Sequence, residues 1–324
     1  MLATKPSITQ PNHGFFEQAH HQDMPPTDTA TATDAPPSGH FNLWIEAGHV
    51  EKHYWADLWR YRELFYILAW RDIMVRYKQT VAGAAWAILQ PLFTMLIMVA
   101  VFHKIAGLSS VGDAPYAIMT FAALLPWQFF SSALQNASQS VIGNANMISK
   151  VYFPRIIIPS SAVMVSLADF LVSFVILGGL MAWFQYLPTW RILTLPLFTL
   201  LAIVTAMGPG LLITALTVRF RDFRFIIPFI VQFGMFVSPV GYSSQSVKKT
   251  LIDNLGASYG DLAFSIYSLN PLVGVIDGFR WAIIGENPQF FSLSTVFSIV
   301  IALLLFFMGV SYFRKTERSF ADTI

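Results

Sequence analysis

Long apolar stretches with little or no charge are the strongest constraint on how this chain can fold. A helix needs roughly 20 mostly apolar residues to cross the hydrocarbon layer of a bilayer. Six stretches are candidates, and the fifth of them is shorter and contains two prolines. They are residues 83–102, 114–134, 156–186, 192–218, 225–242 and 290–313. The sequence therefore predicts an all-α integral membrane protein with six transmembrane helices between residues 83 and 313.

The composition agrees with a surface that largely faces lipid. Charged residues make up 12% of the 324 residues, whereas soluble proteins carry about 25%. The formal net charge of +2 is too small to indicate a nucleic-acid partner. The chain has no cysteine, which excludes disulfides, zinc–thiolate sites and thiol nucleophiles.

The placement of lysine and arginine predicts the orientation of the six helices. From Arg60 onward, thirteen basic residues fall before, between or after the spans on one side, and five fall on the other. Basic residues are enriched in cytoplasmic segments. Both termini, including the tail at residues 314–324, are therefore expected in the cytoplasm, which agrees with an even number of spans.

The N-terminal residues 1–40 differ from the rest of the chain. They are rich in Pro, Thr, Ala, Gln, His and Asp, and they contain no apolar run that is long enough to fold or to insert. They also lack the basic start and apolar core of a signal peptide. This composition predicts a disordered N-terminal extension that is retained.

Residues 58–80 predict a helix that lies along the membrane surface. Their apolar run, residues 64–70, is too short to cross the bilayer, and the aromatic residues on either side favour the headgroup region. Arg71, Arg76 and Lys78 are expected to meet anionic headgroups. The alternatives are a soluble helix packed on a neighbour and ordinary positive-inside anchoring.

Residues 135–154, between the second and third spans, are rich in Gln, Asn and Ser. Apolar residues nevertheless recur at spacings of three and four, at Leu134, Ala137, Val141, Ala145 and Ile148. The spacing predicts a short amphipathic helix that Pro154 ends. Such a helix on the cytoplasmic side is either a docking site for another subunit or a plain connector.

The link between the fifth and sixth spans contains an apolar piece, residues 262–284, that polar residues interrupt. Asn270-Pro271, Asp277 and Arg280 make it too broken for a crossing that is exposed to lipid. Irregular backbone at membrane depth is tolerated where protein or a wet cavity shields it. We expect a re-entrant hairpin that enters from the outer side, with a folded external loop as the alternative.

The chain lacks the residues of the common catalytic sites. A phosphate loop needs glycines before Gly-Lys-Ser/Thr, and no segment matches that pattern. Asp169 is the one carboxylate within the third span, so it must pair, protonate or face an aqueous path. A lone carboxylate does not support paired acid–base work, which disfavours a membrane-embedded glycosyltransferase or hydrolase. We predict no catalytic, cofactor-binding or metal-binding residue on this chain.

Aromatic residues make up 15% of the chain, and phenylalanine dominates. Many lie at span ends, where they are typical of interfacial belts. Phe129, Phe130, Phe233 and Phe236 lie within spans and could present flat faces to sugar rings along a pathway.

Several motifs together resemble a known family. The segment from Arg71 to Thr80, followed by Gly83, Trp86 and Leu89-Gln90-Pro91, resembles the N-terminal signature of the polysaccharide-export permeases of ABC transporters. These are the membrane subunits for O-antigen, capsule and teichoic acid. Further echoes follow in the same order: Leu125-Pro126-Trp127, the run from Lys150 to Arg155, the run from Val218 to Asp222, Ser238-Pro239-Val240, Asn270-Pro271-Leu272 and Gly278-Phe279-Arg280. The resemblance extends from Leu58 to the C-terminus.

The resemblance implies a homodimer in the bacterial inner membrane, with a channel for lipid-linked polysaccharide between the two copies. A separate ATPase subunit would carry ATP and Mg. The segment from Gln135 to Arg155 would contain the coupling helix, with docking residues Asn144, Asn146, Lys150, Tyr152, Pro154 and Arg155. Channel or gate residues would be Phe129, Phe130, Asp169, Phe233, Phe236, Pro239, Asn270, Pro271 and Arg280. Exporters of drugs or lipids share the general fold and are the alternative, and a passive channel or scaffold is a further one.

Overall fold

The structure is a computed structural model that describes residues 54–78, 83–110, 112–285 and 293–320. The extension predicted at residues 1–40 lies outside the described residues. Within the described part of the chain all regular structure is helical. The helices are α1 (Tyr54–Arg60), α2 (Arg62–Lys78), α3 (Gly83–Met98), α4 (Tyr116–Gly143), α5 (Ala145–Ile148), α6 (Ile157–Trp183), α7 (Leu195–Arg219), α8 (Phe223–Val237), α9 (Ser244–Leu255), α10 (Ala257–Tyr267), α11 (Pro271–Ile284) and α12 (Leu293–Thr316).

The described helices confirm an all-α integral membrane protein. Five are long and apolar enough to cross a membrane, namely α3 with its π-helical continuation to Ile105, α4, α6, α7 and α12. The pair α10 and α11 is apolar as well, but it bends by 94° between Tyr267 and Pro271. The number of spans is therefore five, or six if the bent pair counts as one.

The fifth predicted span differs from the structure at its C-terminal end. Helix α8 has 15 residues and ends at Val237, so the prediction of a span through Tyr242 is too long. The cause is Pro239, which disfavours helical backbone at the residue before it. Ser238 is accordingly extended, with ψ at 150°.

The separate amphipathic helix predicted at residues 135–154 is wrong in its first half. Helix α4 continues without a break to Gly143, and only the single turn α5 follows. The polar residues do not interrupt the helix, because their side chains bond to its own carbonyls. Ser138 Oγ donates to Gln135 O at 2.7 Å, and Ser140 Oγ donates to Ala137 O at 2.7 Å.

The apolar stripe along this part of α4 is packed inside the protein. Leu134, Ala137 and Val141 are all buried. Thr214 Oγ1 of α7 donates to Ala137 O at 2.9 Å, which joins the two helices at this level. The spacing therefore identified a packed face of a long helix.

Helices α7 and α12 cross at two glycines. A Cβ atom on Gly309 would lie 2.1 Å from the carbonyl oxygen of Gly208, and one on Gly208 would lie 2.6 Å from the backbone nitrogen of Phe306. Glycine at both positions lets the backbones meet, as small residues do at crossings in membranes.

Two hydrophobic clusters mark the two ends of the bundle. One cluster contains Tyr54, Val141, Phe153, Val218 and Phe313. The end of the bundle where it lies is termed the α2 end. The other cluster contains Ile118, Leu195, Val240 and Phe279 and is termed the α11 end.

Candidate functional site

A charged contact joins α2 to α6 within the apolar part of the bundle. Arg76 Nη2 lies 2.7 Å from Asp169 Oδ2, and the hydroxyl of Tyr77 donates to the other carboxylate oxygen. The side chain of Asp169 is 19% exposed. Burial, followed by the bond to Asp169, raises the pKa of Tyr77, so that its hydroxyl stays protonated as a donor.

This contact explains the lone carboxylate that the sequence revealed. A charge within a span is expensive unless it is paired, and here the pairing partners come from the surface helix. Asp169 therefore lies in the contact with α2. Its predicted channel or gate role stays a prediction. Arg76 is partly occupied by the same contact, while Lys78 is exposed at the end of α2.

This ion pair supports a stability prediction. Arg76→Gln leaves the carboxylate of Asp169 without its cation, and we expect a loss of about 1–2 kcal/mol, because the pair is only partly buried. Adding Asp169→Asn should restore part of the loss, since an amide needs no counter-ion. The melting temperature of the protein in nanodiscs measures both. Arg62→Gln, on the exposed face of α2, is the control, and a double variant no more stable than Arg76→Gln would contradict the pairing.

A second contact ties α2 to the end of α4. Arg71 Nη2 donates to Asn144 Oδ1 at 3.1 Å, and Arg71 Nε donates to Asp72 Oδ1 at 2.8 Å. Asn144 lies between α4 and α5, at the start of the predicted docking segment. The surface helix therefore contacts both the docking segment and α6.

The predicted docking residues divide into an outer and an inner group. Asn146, Lys150 and Tyr152 are exposed, and Tyr152 is 63% accessible. Pro154 is buried, and the guanidinium of Arg155 donates through Nη1 to the backbone oxygen of Glu317. The first three thus lie on the surface of this chain, whereas Pro154 and Arg155 attach the segment to the rest of the protein.

The two ends of the described chain are joined to each other at Glu317, the residue that Arg155 also contacts. Tyr54 donates its hydroxyl to Glu317 Oε2 at 3.1 Å, and the guanidinium of Arg314 lies 4.3 Å from the ring centroid of Tyr54. Burial is the main cause that raises the pKa of Tyr54, which keeps its hydroxyl as a donor. Sequence reasoning missed these residues, because a separation of 263 positions leaves no local pattern.

At the opposite end, Arg280 is a buried anchor. It is 1% exposed and donates to three backbone oxygens on two other segments. Nη1 reaches Tyr242 O at 2.7 Å, Nη2 reaches Val240 O at 3.0 Å, and Nε lies 3.4 Å from Met119 O. The predicted channel or gate residue Arg280 is thus buried within this chain, and its role in a gate stays a prediction. It holds the non-helical stretch after α8 against α4 and α11.

Asn270 and Pro271 begin α11 and cause the bend before it. Asn270 Oδ1 accepts from Leu272 N at 3.1 Å, and Pro271 occupies the first helical position. Asn270 Nδ2 also donates to Ser238 Oγ at 3.0 Å, next to the buried Pro239. The three predicted gate residues of this region thus meet at one junction between α8 and α11.

The last carbonyls of α11 also have side-chain donors. Tyr186 Oη donates to Ile284 O at 3.1 Å, and Arg191 Nη1 donates to Gly285 O at 3.2 Å. Gly285 has a φ of 73°, in the left-handed region that ends helices. Helix α11 is therefore capped at both ends, so that its terminal backbone groups have partners.

The predicted channel aromatics separate in the structure. Phe129 is 2% exposed and packs against Phe170 with ring centroids 5.4 Å apart, which places it in the core of this chain. Phe130 is half-buried beside Trp127. Phe233 and Phe236 lie exposed on α8. Exposed apolar side chains on that helix are Phe225, Ile226, Phe229, Ile230, Phe233, Phe236 and Val237, which form one face.

Most of the helices described above lie within a match to a known protein family. Residues 63–284, more than half of the chain, match the family described as ABC-2 type transporter. The match begins within α2 and ends at the last residue of α11. It therefore includes α2, the segment between α4 and α6, and α11.

Three relatives match over most of their own length. The O-antigen export system permease protein RfbA of Myxococcus xanthus is 26% identical over 273 residues, which are 83% of this chain and 98% of the relative. RfbA of Klebsiella pneumoniae is 25% identical over 267 residues, 81% and 95% respectively. The polysialic acid transport protein KpsM of Escherichia coli is 24% identical over 254 residues, 77% and 92% respectively.

Proposed function

Because this chain belongs to the ABC-2 type transporter family, we propose that it is the permease subunit of an ATP-driven exporter of lipid-linked polysaccharide. The observation that carries the proposal is the similarity to an O-antigen export system permease protein and to a polysialic acid transport protein. The membrane would be the bacterial inner membrane, with both termini in the cytoplasm. The positive-inside distribution of lysine and arginine supports that orientation.

A separate ATPase subunit would supply the energy and hold ATP and Mg. Its docking surface would be the exposed part of the segment between α4 and α6, namely Asn146, Lys150 and Tyr152. This segment is attached to α2 through Arg71. It is attached to Glu317, just after α12, through Arg155. A push on the segment would therefore move α2, and the Arg76–Asp169 pair would pass that movement to α6.

A second copy of the chain would complete the channel. The exposed aromatic face of α8 supports this arrangement, because four phenylalanines on one face favour close packing against another apolar surface. The bent pair α10 and α11 would be a re-entrant hairpin near the channel exit, and α2 would lie at the cytoplasmic interface. Stacking of Tyr66 on Trp70 on the exposed side of α2 supports an interfacial position.

Export by living cells tests the proposal. The gene is deleted, and the surface polysaccharide is compared with that of the parent and of a complemented strain by immunoblotting and gel electrophoresis. We expect loss of surface glycan and accumulation of lipid-linked glycan inside the deletion strain. Normal surface glycan in the deletion strain would overturn the proposal.

The docking surface supports a second experiment. Lys150→Glu combined with Tyr152→Ala removes two exposed side chains of the segment, and we expect at least about tenfold less ATPase subunit to co-purify. The protein level should stay normal, since neither side chain is buried. Lys104→Glu reverses an exposed charge at the α11 end and is the matched control. Unchanged co-purification would place docking elsewhere.

A further inference from the structure

A cavity with both polar and apolar lining residues lies at the α11 end between α9, α10, α11 and α12. Its volume is about 490 Å³, within the range of about 300–1,000 Å³ that ligand sites occupy. The α9 residues that line it recur at spacings of three and four, namely Gln245, Lys248, Lys249, Ile252 and Asp253. One face of this helix is therefore directed at the cavity along two turns.

The opposite wall is formed where α11 and α12 meet. A Cβ atom on Gly274 would lie 2.6 Å from the Cβ of Ser298, so the two helices are in close contact there. Ser298 Oγ donates to Ser268 O at 2.6 Å, which joins this wall to the end of α10. Asp277 of α11 also lines the cavity. The wall is thus fixed by packing and hydrogen bonding.

The charges around the cavity balance. Lys248 and Lys249 contribute two positive charges, and Asp253 and Asp277 contribute two negative ones, so the formal sum is zero. Lys248 also pairs with Asp261, with Nζ and Oδ1 3.2 Å apart. A lining of this kind does not select strongly for an anion or for a cation, which argues against a phosphate headgroup as the occupant.

The remaining lining groups suit a ligand that both donates and accepts hydrogen bonds. Five hydroxyl side chains line the cavity, at Ser244, Ser268, Ser294, Thr295 and Ser298. Ser268 Oγ already donates to Phe264 O at 2.8 Å, and Ser298 Oγ donates to Ser268 O, so these two hydroxyls can only accept from a ligand. The amide of Gln245 and the hydroxyls of Ser244 and Ser294 can each donate and accept. Phe264 adds an aromatic surface beside them. Sugars combine hydroxyls with apolar faces, which aromatic rings contact.

We infer that this cavity, between α9 and the α11–α12 wall, is a binding site for a neutral polyhydroxylated ligand, namely a short stretch of saccharide. The inference rests on the proposed function for the source of the saccharide, the exported glycan. It rests on the cavity alone for the chemistry of the ligand. Saccharide held here would contact the elements that flank the bend before α11.

Equilibrium binding to the purified full-length protein in nanodiscs tests the inference. The probes are oligosaccharides released by mild acid from the surface polysaccharide of the host cell, maltotriose as an unrelated neutral glycan, and inorganic phosphate. Ser294→Trp fills the cavity from α12, and Gln245→Leu removes hydrogen bonding while keeping the size of the side chain. Val296→Trp places the same indole on an exposed part of α12 outside the cavity.

We expect saturable oligosaccharide binding that Gln245→Leu weakens about tenfold, Ser294→Trp abolishes and Val296→Trp leaves unchanged. Binding of the host oligosaccharide alone would identify the exported glycan as the ligand, and binding of maltotriose as well would identify saccharides in general. No oligosaccharide binding, equal binding by Ser294→Trp, or binding of phosphate alone would overturn the inference. These measurements need no ATPase, so their outcome is independent of the export experiment.

Discussion

Arg280→Leu is expected to destabilise the protein by about 2–5 kcal/mol, because it leaves backbone oxygens without donors in the interior. The side chain is 1% exposed and donates to Tyr242 O and Val240 O at 2.7 and 3.0 Å. Water cannot replace these bonds at a buried position in a membrane protein. The stretch between α8 and α9 should then separate from α4 and α11.

Thermal melting in nanodiscs, followed by size-exclusion chromatography of the heated sample, measures this effect. Arg280→Lys should fall between the parent and Arg280→Leu, since one ammonium group cannot donate to all three oxygens in the geometry of a guanidinium fork. Arg221→Leu removes an arginine from an exposed loop and is the matched control. Equal melting temperatures for Arg280→Leu and Arg221→Leu would contradict the anchoring role.

Gly309→Ala is expected to cost about 3 kcal/mol, although it adds only one methyl group. That methyl would lie 2.1 Å from the carbonyl oxygen of Gly208, a contact that only a shift of the α7 or α12 backbone could relieve. Gly309→Val should reduce the yield of folded protein further. The effect should exceed that of most surface substitutions, which are usually within about 0.5 kcal/mol.

Two glycines of α6 provide a control for this substitution. A Cβ atom on Gly178 or on Gly179 would meet nothing within 4 Å, although both residues lie within a long apolar helix. Gly178→Ala should therefore leave the melting temperature unchanged or raise it slightly, since alanine favours helix. Equal melting temperatures for Gly309→Ala and Gly178→Ala would show that α7 and α12 do not cross in close contact at Gly309.

Helix α2 shows how a local prediction of helix can miss the main interaction. The sequence identified α2 as a helix too short to cross the membrane, and it identified Asp169 as a charge that needs a partner. It did not connect the two, because Arg76 and Asp169 are 93 positions apart and no periodicity links them. The predicted headgroup contacts of Arg71, Arg76 and Lys78 remain predictions.

The segment around the end of α4 shows a local pattern that fits two different structures. Its apolar spacing suggested a short separate helix, but the same spacing also fits the buried face of a long one. The packing of α4 against α6 and α7 decides between the two, because Leu134 and Val141 are covered by those neighbours. The exposed residues Lys150 and Tyr152 follow only after the long helix has ended.

Hydrophobicity summed over about 20 neighbouring residues determined the helical class, the approximate position of five long spans and the broken segment around Asn270-Pro271. Those quantities depend on residues that are close in the chain, so the sequence contains them directly. The tertiary structure alone decided that Arg280 is an anchor, that Phe129 is core and that α7 and α12 meet at two glycines. Each of these depends on which distant backbone comes within a few ångströms, and that is settled only when the helices pack together.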